Sequence, residues 1–180
     1  MTAAGTPLWR QLAASARVLA GLRAGRALTP QLDRVDGELR PAVQALTYQA
    51  LRNLGRAQAL RALLARRAPP APADALLCLA LALGWRVEDA PYAPHTLVDQ
   101  TVEAATRDPA LRRQAAFLNA CLRRFLRERE ALVERSASDP TARWNLPPWW
   151  IRRLQRDHPK RWQAIASAGA HQAPMVLRIN

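Results

Sequence analysis

Apolar residues recur at spacings of three and four along almost the whole chain, the period of helices that bury one face. Leu8, Leu12, Ala16 and Leu19 form the first such stripe and predict a helix from about Pro7 to Ala24. A short helical piece is expected around Pro30–Val35, behind Thr29 as its cap. Leu39, Val43, Leu46, Ala50 and Leu54 predict a longer helix over Gly37–Leu54, with Gly55 placed to end or bend it. Another short helix fits Arg56–Arg67, and the prolines of APPAPA (68–73) predict a stiff connection, because consecutive prolines exclude helix interior. Asp74 to Trp85 is apolar nearly all round, so this helix belongs at the centre of the fold.

The next helix is expected to begin at Thr96, with Asp99 completing a capping-box-like pair, and to stop at Asp108. Asp108 and Pro109 then suit the cap and first position of a helix running to Glu130. Within it Leu111, Ala115, Leu118, Leu122 and Phe125 share one face, while Arg112, Arg113, Arg123, Arg124 and Arg127 point away from it. SASDPTAR (136–143) is polar and linker-like. The segment after it places Trp144, Trp149, Trp150 and Trp162 close together and fits two helices, one from Pro147 or Pro148 to about Asp157 and one from Pro159. Bare indoles are costly, so this piece is expected to pack on the body or on a partner.

No alternating Val/Ile-rich segment occurs before Met175–Ile179 (MVLRI), which reads as a β-strand. The expected fold is therefore all-α. It divides into a helical domain over 1–135, a linker over 136–143 and a Trp-rich helical extension over 144–180. A lone terminal strand has no ladder partner, so the chain is expected to continue into a domain that contains a sheet.

At 180 residues, 49% of them hydrophobic, the chain can bury a core without disulfides or metal. Its charge is +13, and Lys160 is the one lysine among 27 basic residues. Arginine suits bidentate contact with phosphate, so the excess points to a polyanionic partner. GC-rich coding, visible in the abundant alanine, accounts equally for arginine over lysine, which leaves net charge as the stronger signal. Residues 1–70 carry eleven arginines against three acids and 104–180 carry fifteen bases against six, whereas 71–103 has one arginine against five acids. The middle is thus an unlikely contact surface. Along the acid-free first 32 residues the composition also fits a transit peptide, but the Leu8/Leu12/Ala16/Leu19 stripe continues into the downstream pattern and reads as core. Cys78 and Cys121 sit in apolar helical patterns as small hydrophobes, which fits a reducing, cytoplasmic setting. Ala75–Trp85, the longest apolar run, is too short to span a bilayer, so no membrane partner is expected.

No catalytic constellation emerges. The seven glycines form no phosphate-cradling loop, and neither paired CxxC motifs nor helix-spaced histidines suggest a metal site. His95, His158 and His171 neighbour turn residues and read as surface or capping groups, and the carboxylates sit at caps or beside arginines. For a polyanion the candidate groups are Arg10 and Arg17, opposite the first stripe, and Arg112, Arg113, Arg123, Arg124 and Arg127. Asn119, beside the core stripe, reads as a packing residue.

Five segments in order, ALTYQALRNLGR (45–56), PHTLVDQTVEAA (94–105), AAFLNACLRRF (115–125), WNLPPWWIRRLQ (144–155) and PMVLRIN (174–180), give the chain a family likeness. It resembles the amino-terminal region of the bacterial 16S ribosomal RNA cytosine-5 methyltransferases of the B type, which has the fold of the antitermination factor NusB. The resemblance implies two small helical bundles, binding of 16S ribosomal RNA, and a following methyltransferase domain in cis that uses S-adenosylmethionine. The family's catalytic cysteines lie in that later domain. Cys78 and Cys121 match none of them, so this stretch is expected to be inactive alone, with no catalytic, cofactor or metal residue of its own. Two other readings stay open: a freestanding NusB-type antitermination factor, and a helical protein-interaction module.

Overall fold

The computed structural model describes residues 6–88, 90–169 and 176. Among these the architecture is all-α, as the periodicity requires. Its helices are α1 (Leu8–Arg23), α2 (Leu28–Leu32), α3 (Arg40–Arg52), α4 (Leu54–Leu64), α5 (Ala71–Gly84) and α6 (Pro94–Arg107), followed by α7 (Ala115–Arg127), α8 (Arg129–Ser136), α9 (Pro140–Trp144), α10 (Pro148–Asp157) and α11 (Trp162–Gly169). The predicted strand at Met175–Ile179 lies outside the described residues except for Val176, which is exposed.

Helix α5 is the axis of the fold. Every residue from Ala73 to Gly84 is buried, and α1, α3, α4, α6 and α7 pack around it. The stripes close on it as read: Leu12, Ala16 and Leu19 from α1, Leu46 and Ala50 from α3, and Leu118, Leu122 and Phe125 from α7 all join one core. A smaller cluster of Val18, Leu32, Leu39 and Val43 holds α2 between α1 and α3. Asp74, in the first turn of α5, is buried between Arg23 Nη2 at 2.7 Å and Arg61 Nε at 3.0 Å, so a carboxylate ties α1 and α4 to the central helix.

Several helix boundaries differ from the pattern-based expectation, each for a local reason. The α3/α4 break falls at Asn53, not at Gly55. Gly55 lies inside α4, where a Cβ would collide with the Thr141 carbonyl oxygen of α9 and sit 3.1 Å from its carbon. This glycine thus serves close helix approach rather than helix termination. The helix expected over Pro109–Glu130 begins instead with a turn. The Asp108 carboxylate accepts from the Ala110 N–H (2.9 Å) and its carbonyl from Leu111 and Arg112. A 3₁₀ turn at Arg112–Gln114 then leads into α7, and Glu128 separates α7 from α8. Helix α6 starts at Pro94 behind Ala93, so Thr96 lies within it, and α2 starts behind Ala27, so Thr29 is helical. Helix α5 starts inside the proline run, where Pro72 occupies the first turn and no N–H is required.

Residues 136–143 hold the buried end of α8 at Ser136 and most of α9, whose N-cap Asp139 accepts from Thr141 N–H at 2.8 Å. No helix among the described residues is long and apolar enough to cross a membrane.

Candidate nucleic-acid interface

The α7 surface separates charge from core as its sequence dictates. Leu118, Cys121, Leu122 and Phe125 are buried, while Arg112, Arg113, Arg123 and Arg127 are exposed and Arg124 is half-buried. Arg17 reaches across from α1 to Asp108 (3.2 Å), and Arg112 Nε donates to the Thr106 carbonyl (3.0 Å). These two arginines therefore meet at the α6–α7 turn, one end of the arginine face. Further along, Arg123 Nε donates to the side-chain oxygen of Asn119 (3.0 Å), which gives that asparagine a local role. Arg124 pairs with Glu128 one turn on (3.0 Å). Arg10 is exposed on α1, two turns from Arg17. Of the seven candidates only Arg17 and Arg124 form ion pairs among the described residues. Surface pairs of this kind are worth about 0–1 kcal/mol, so a phosphate displaces them readily.

A second basic site was not foreseen. Arg52, Asn53 and Arg56 from the α3/α4 junction, Trp85 and Arg86 after α5, Arg143 to Asn145 from α9, and Ala166 and Ser167 from α11 enclose a cleft of about 190 Å³. The charge profile had set the 71–103 stretch aside, yet Trp85 and Arg86 form one wall. Two asparagines build the corner. Asn145 adopts a left-handed conformation (φ 52°, ψ 33°) at the end of α9. Its Oδ1 accepts from the Gly55 N–H (2.7 Å) and its Nδ2 donates to the Leu51 carbonyl (2.8 Å). It thereby satisfies the Gly55 N–H that the start of α4 leaves open and adds a second donor to the Leu51 carbonyl, which also accepts a backbone N–H. Asn53 accepts from the Trp85 indole N–H (3.0 Å) and donates to the Gln49 carbonyl (3.0 Å).

Arg56 donates to Ser136 Oγ (2.7 Å) and the Val133 carbonyl (3.3 Å), fixing α8 to α4. Its guanidinium also lies over the Trp85 ring at 5.1 Å, where Arg86 lies at 4.4 Å. Burial, and then the like charge of Arg86, lower the Arg56 pKa from its ordinary value, with Asp139 acting the other way. Arg129 makes a comparable anchor at the carboxyl end of α5, donating to the Gly84 carbonyl at 2.6 Å.

The Trp-rich extension folds on itself and onto α9. Trp144 and Trp162 meet edge to face at 5.2 Å, and Ile151 and Ala166 are buried. Trp149 and Trp150 lie side by side at 5.2 Å and stay exposed, at 59% and 45%, beside Arg152, Arg153 and Arg156. Asp157 pairs with Arg153 and with Arg156, and hydrogen bonds from Arg156 and then Arg153 hold its carboxyl below the usual range. His95 and His158 are exposed, and His171 lies outside the described residues. Cys78 and Cys121 are free and buried. Among the described residues no group of three or more His, Cys, Asp or Glu could hold a metal ion.

Comparison with known proteins bears on this arrangement at two scales. The family model described as "Methyltr_RsmF/B-like, ferredoxin-like domain" matches residues 146–180, the extension from α10 onward. Over most of the chain the similarity is to proteins named ribosomal RNA small subunit methyltransferase B. That of Pseudomonas putida is 33% identical over 177 residues, covering 93% of this chain and 39% of the relative. That of Vibrio vulnificus is 31% identical over 162 residues, covering 87% of this chain and 37% of the relative. In Escherichia coli K12 the identity is 41% over 90 residues, 48% of this chain. The chain spans little more than a third of the length of the curated relatives that it matches most fully. Over most of its length the chain is thus similar to a part of the proteins named ribosomal RNA small subunit methyltransferase B, with the ferredoxin-like match following the helical body.

Proposed function

We propose that this chain is the RNA-docking part of a 16S ribosomal RNA cytosine-5 methyltransferase. On this reading residues 1–135 form a NusB-like binding domain, 136–143 a connection, and 144–180 the start of the region that joins the body to a methyltransferase domain in cis. The observation that carries the reading is the exposed arginine face of α7 and its preceding turn, beside which Arg17 of α1 pairs with Asp108, with Arg10 also exposed on α1, on a chain related to rRNA methyltransferases. Phosphate contacts through these side chains supply affinity, and the shape of the helical body supplies placement. The ferredoxin-like match at 146–180 favours this reading over a freestanding antitermination factor.

S-adenosylmethionine belongs, on this proposal, to the later domain. Its sulfonium is a cation, and among the described residues the cleft above is lined by four arginines and no carboxylate, so these residues do not fit it. No methyl-transfer step is assigned to this stretch. Neutralising Arg112, Arg123, Arg124 and Arg127 together with glutamine tests the docking role. The expected result is weaker binding to a 16S ribosomal RNA fragment, with the salt dependence of log affinity falling by up to about 0.7 for each lost phosphate contact on single-stranded RNA. Unchanged binding rejects the assignment.

A further inference from the structure

We propose that the cleft between the α3/α4 junction, Trp85–Arg86 and the α9 corner is a binding site for one phosphodiester of single-stranded RNA, separate from the arginine face of α7. The inference rests on the RNA-docking reading and adds a defined site to it.

Charge comes first. Among the described residues Arg52, Arg56, Arg86 and Arg143 line the cleft and no Asp or Glu does. Like charges held this close repel, and Arg86 acts on Arg56 in that sense. The repulsion is tolerated because aromatic and backbone contacts hold the side chains in place. Trp85 carries Arg56 and Arg86 on its ring, and Trp144 carries Arg143 at 4.9 Å. Guanidiniums fixed in this way lose less entropy when they meet an anion. Arg52 has no hydrogen bond or ion pair with a described residue, and the buried Nε of Arg56 has no hydrogen-bond partner. An oxyanion supplies an acceptor and a countercharge to Arg52 and to the Arg56 Nε.

Size and covering then narrow the ligand. At about 190 Å³ and walled by α4, Trp85, Arg86, α9 and α11, the cleft suits a single phosphate group rather than a run of nucleotides. Because guanidiniums already cover Trp85 and Trp144, bases do not stack there, so the site reads backbone rather than sequence. Free inorganic phosphate shares this chemistry, and the test separates the two sources.

The experiment uses the 180-residue chain with Arg52→Gln, Arg143→Gln and the pair together. Arg56 is left intact because it anchors α8. Affinity for a single-stranded RNA oligonucleotide is measured across potassium chloride concentrations, and the Trp85 and Trp144 indole N–H resonances are followed by NMR. The expected result is that the double variant lowers the salt slope by about 0.7, the equivalent of one phosphate, at an unchanged melting midpoint. The oligonucleotide should shift both indole resonances in the parent chain and not in the double variant. If the double variant keeps its slope while neutralising the α7 face weakens binding, the cleft site is overturned and RNA docking stands. If the parent chain binds no oligonucleotide at all, both fall. Indole shifts with inorganic phosphate but none with the oligonucleotide make this a free-phosphate site and overturn the RNA assignment.

Discussion

Replacing Asn145 removes the one side chain that ties α9 to both ends of the α3/α4 break. In Asn145→Ala the Gly55 N–H loses its partner at 2.7 Å, and the Leu51 carbonyl loses one of two donors, keeping a backbone N–H at the end of α3. The Gly55 site is partly buried, so the low end of the cost of an unsatisfied group applies, about 1 kcal/mol. The backbone adds a further term. At φ 52° asparagine is tolerated, whereas alanine costs about another 1 kcal/mol. The expected loss is therefore about 2 kcal/mol, a fall in melting temperature of about 4–8 °C for a chain of this size. Asn145→Gly loses the same bonds without the backbone cost and should fall between parent and alanine variant. Asn145→Asp keeps the acceptor for Gly55 but sets a carboxylate oxygen against the Leu51 carbonyl, so it should be at least as damaging as glycine. Urea unfolding followed by far-ultraviolet circular dichroism and by tryptophan fluorescence measures the series, the second probe reporting on Trp144 beside the substituted residue. Parent-like stability in both the alanine and glycine variants would show that these bonds carry no weight. Equal losses in the two would remove the backbone term from the reasoning.

Other expected outcomes follow from the core and the charged surfaces. Asp74→Asn leaves Arg23 and Arg61 facing a neutral group in a largely buried setting and should cost about 3 kcal/mol by chemical denaturation, with a loss under 1 kcal/mol counting against the ion cluster as a structural tie. Burial, then Asp74, push the Cys78 thiol from 9.0 up to about 11. Between those values the unfolded chain releases a proton that the folded chain retains, so stability should fall as pH rises, by up to about 1.4 kcal/mol per pH unit. Cys78→Ala should flatten that stretch of the pH–stability curve, and an unchanged slope would assign it to other groups. Trp149→Ala should cost less stability than Ile151→Ala, because the Trp149 indole is 59% exposed whereas Ile151 is buried; a larger loss for Trp149 in calorimetry would mean that it is packed.

The helical core was legible because each stripe repeats within one short window. Leu12, Ala16 and Leu19 on α1, and Leu118, Leu122 and Phe125 on α7, are buried where a 3.6-residue period places them. The break at Asn53 was not legible, for a physical reason. Gly55 looked like a terminator because glycine favours helix ends, but its hydrogen atom is needed for contact with Thr141, a residue far along the chain. The Gly55 N–H opened by the break is satisfied by Asn145, about ninety residues away, and no local pattern carries that information. The same holds for the basic cleft. Arg52 and Arg143 lie in different segments, and the stretch that supplies Trp85 and Arg86 carries net negative charge, so only the packing of α9 against α4, with Ala166 and Ser167 of α11 lining the cleft, reveals the site. The α7 arginines, by contrast, were readable from one helix wheel, and their exposure follows from the burial of the opposite face.

The central claim, that this helical chain grips ribosomal RNA through exposed guanidiniums, is tested most directly by filter binding of the 180-residue chain to a 16S ribosomal RNA fragment over a range of salt concentrations. The account predicts measurable binding at low salt and a linear fall of log affinity with log salt, with a slope equivalent to several phosphate contacts at about 0.7 each. No binding at about 50 mM salt, or an affinity indifferent to salt, would contradict it.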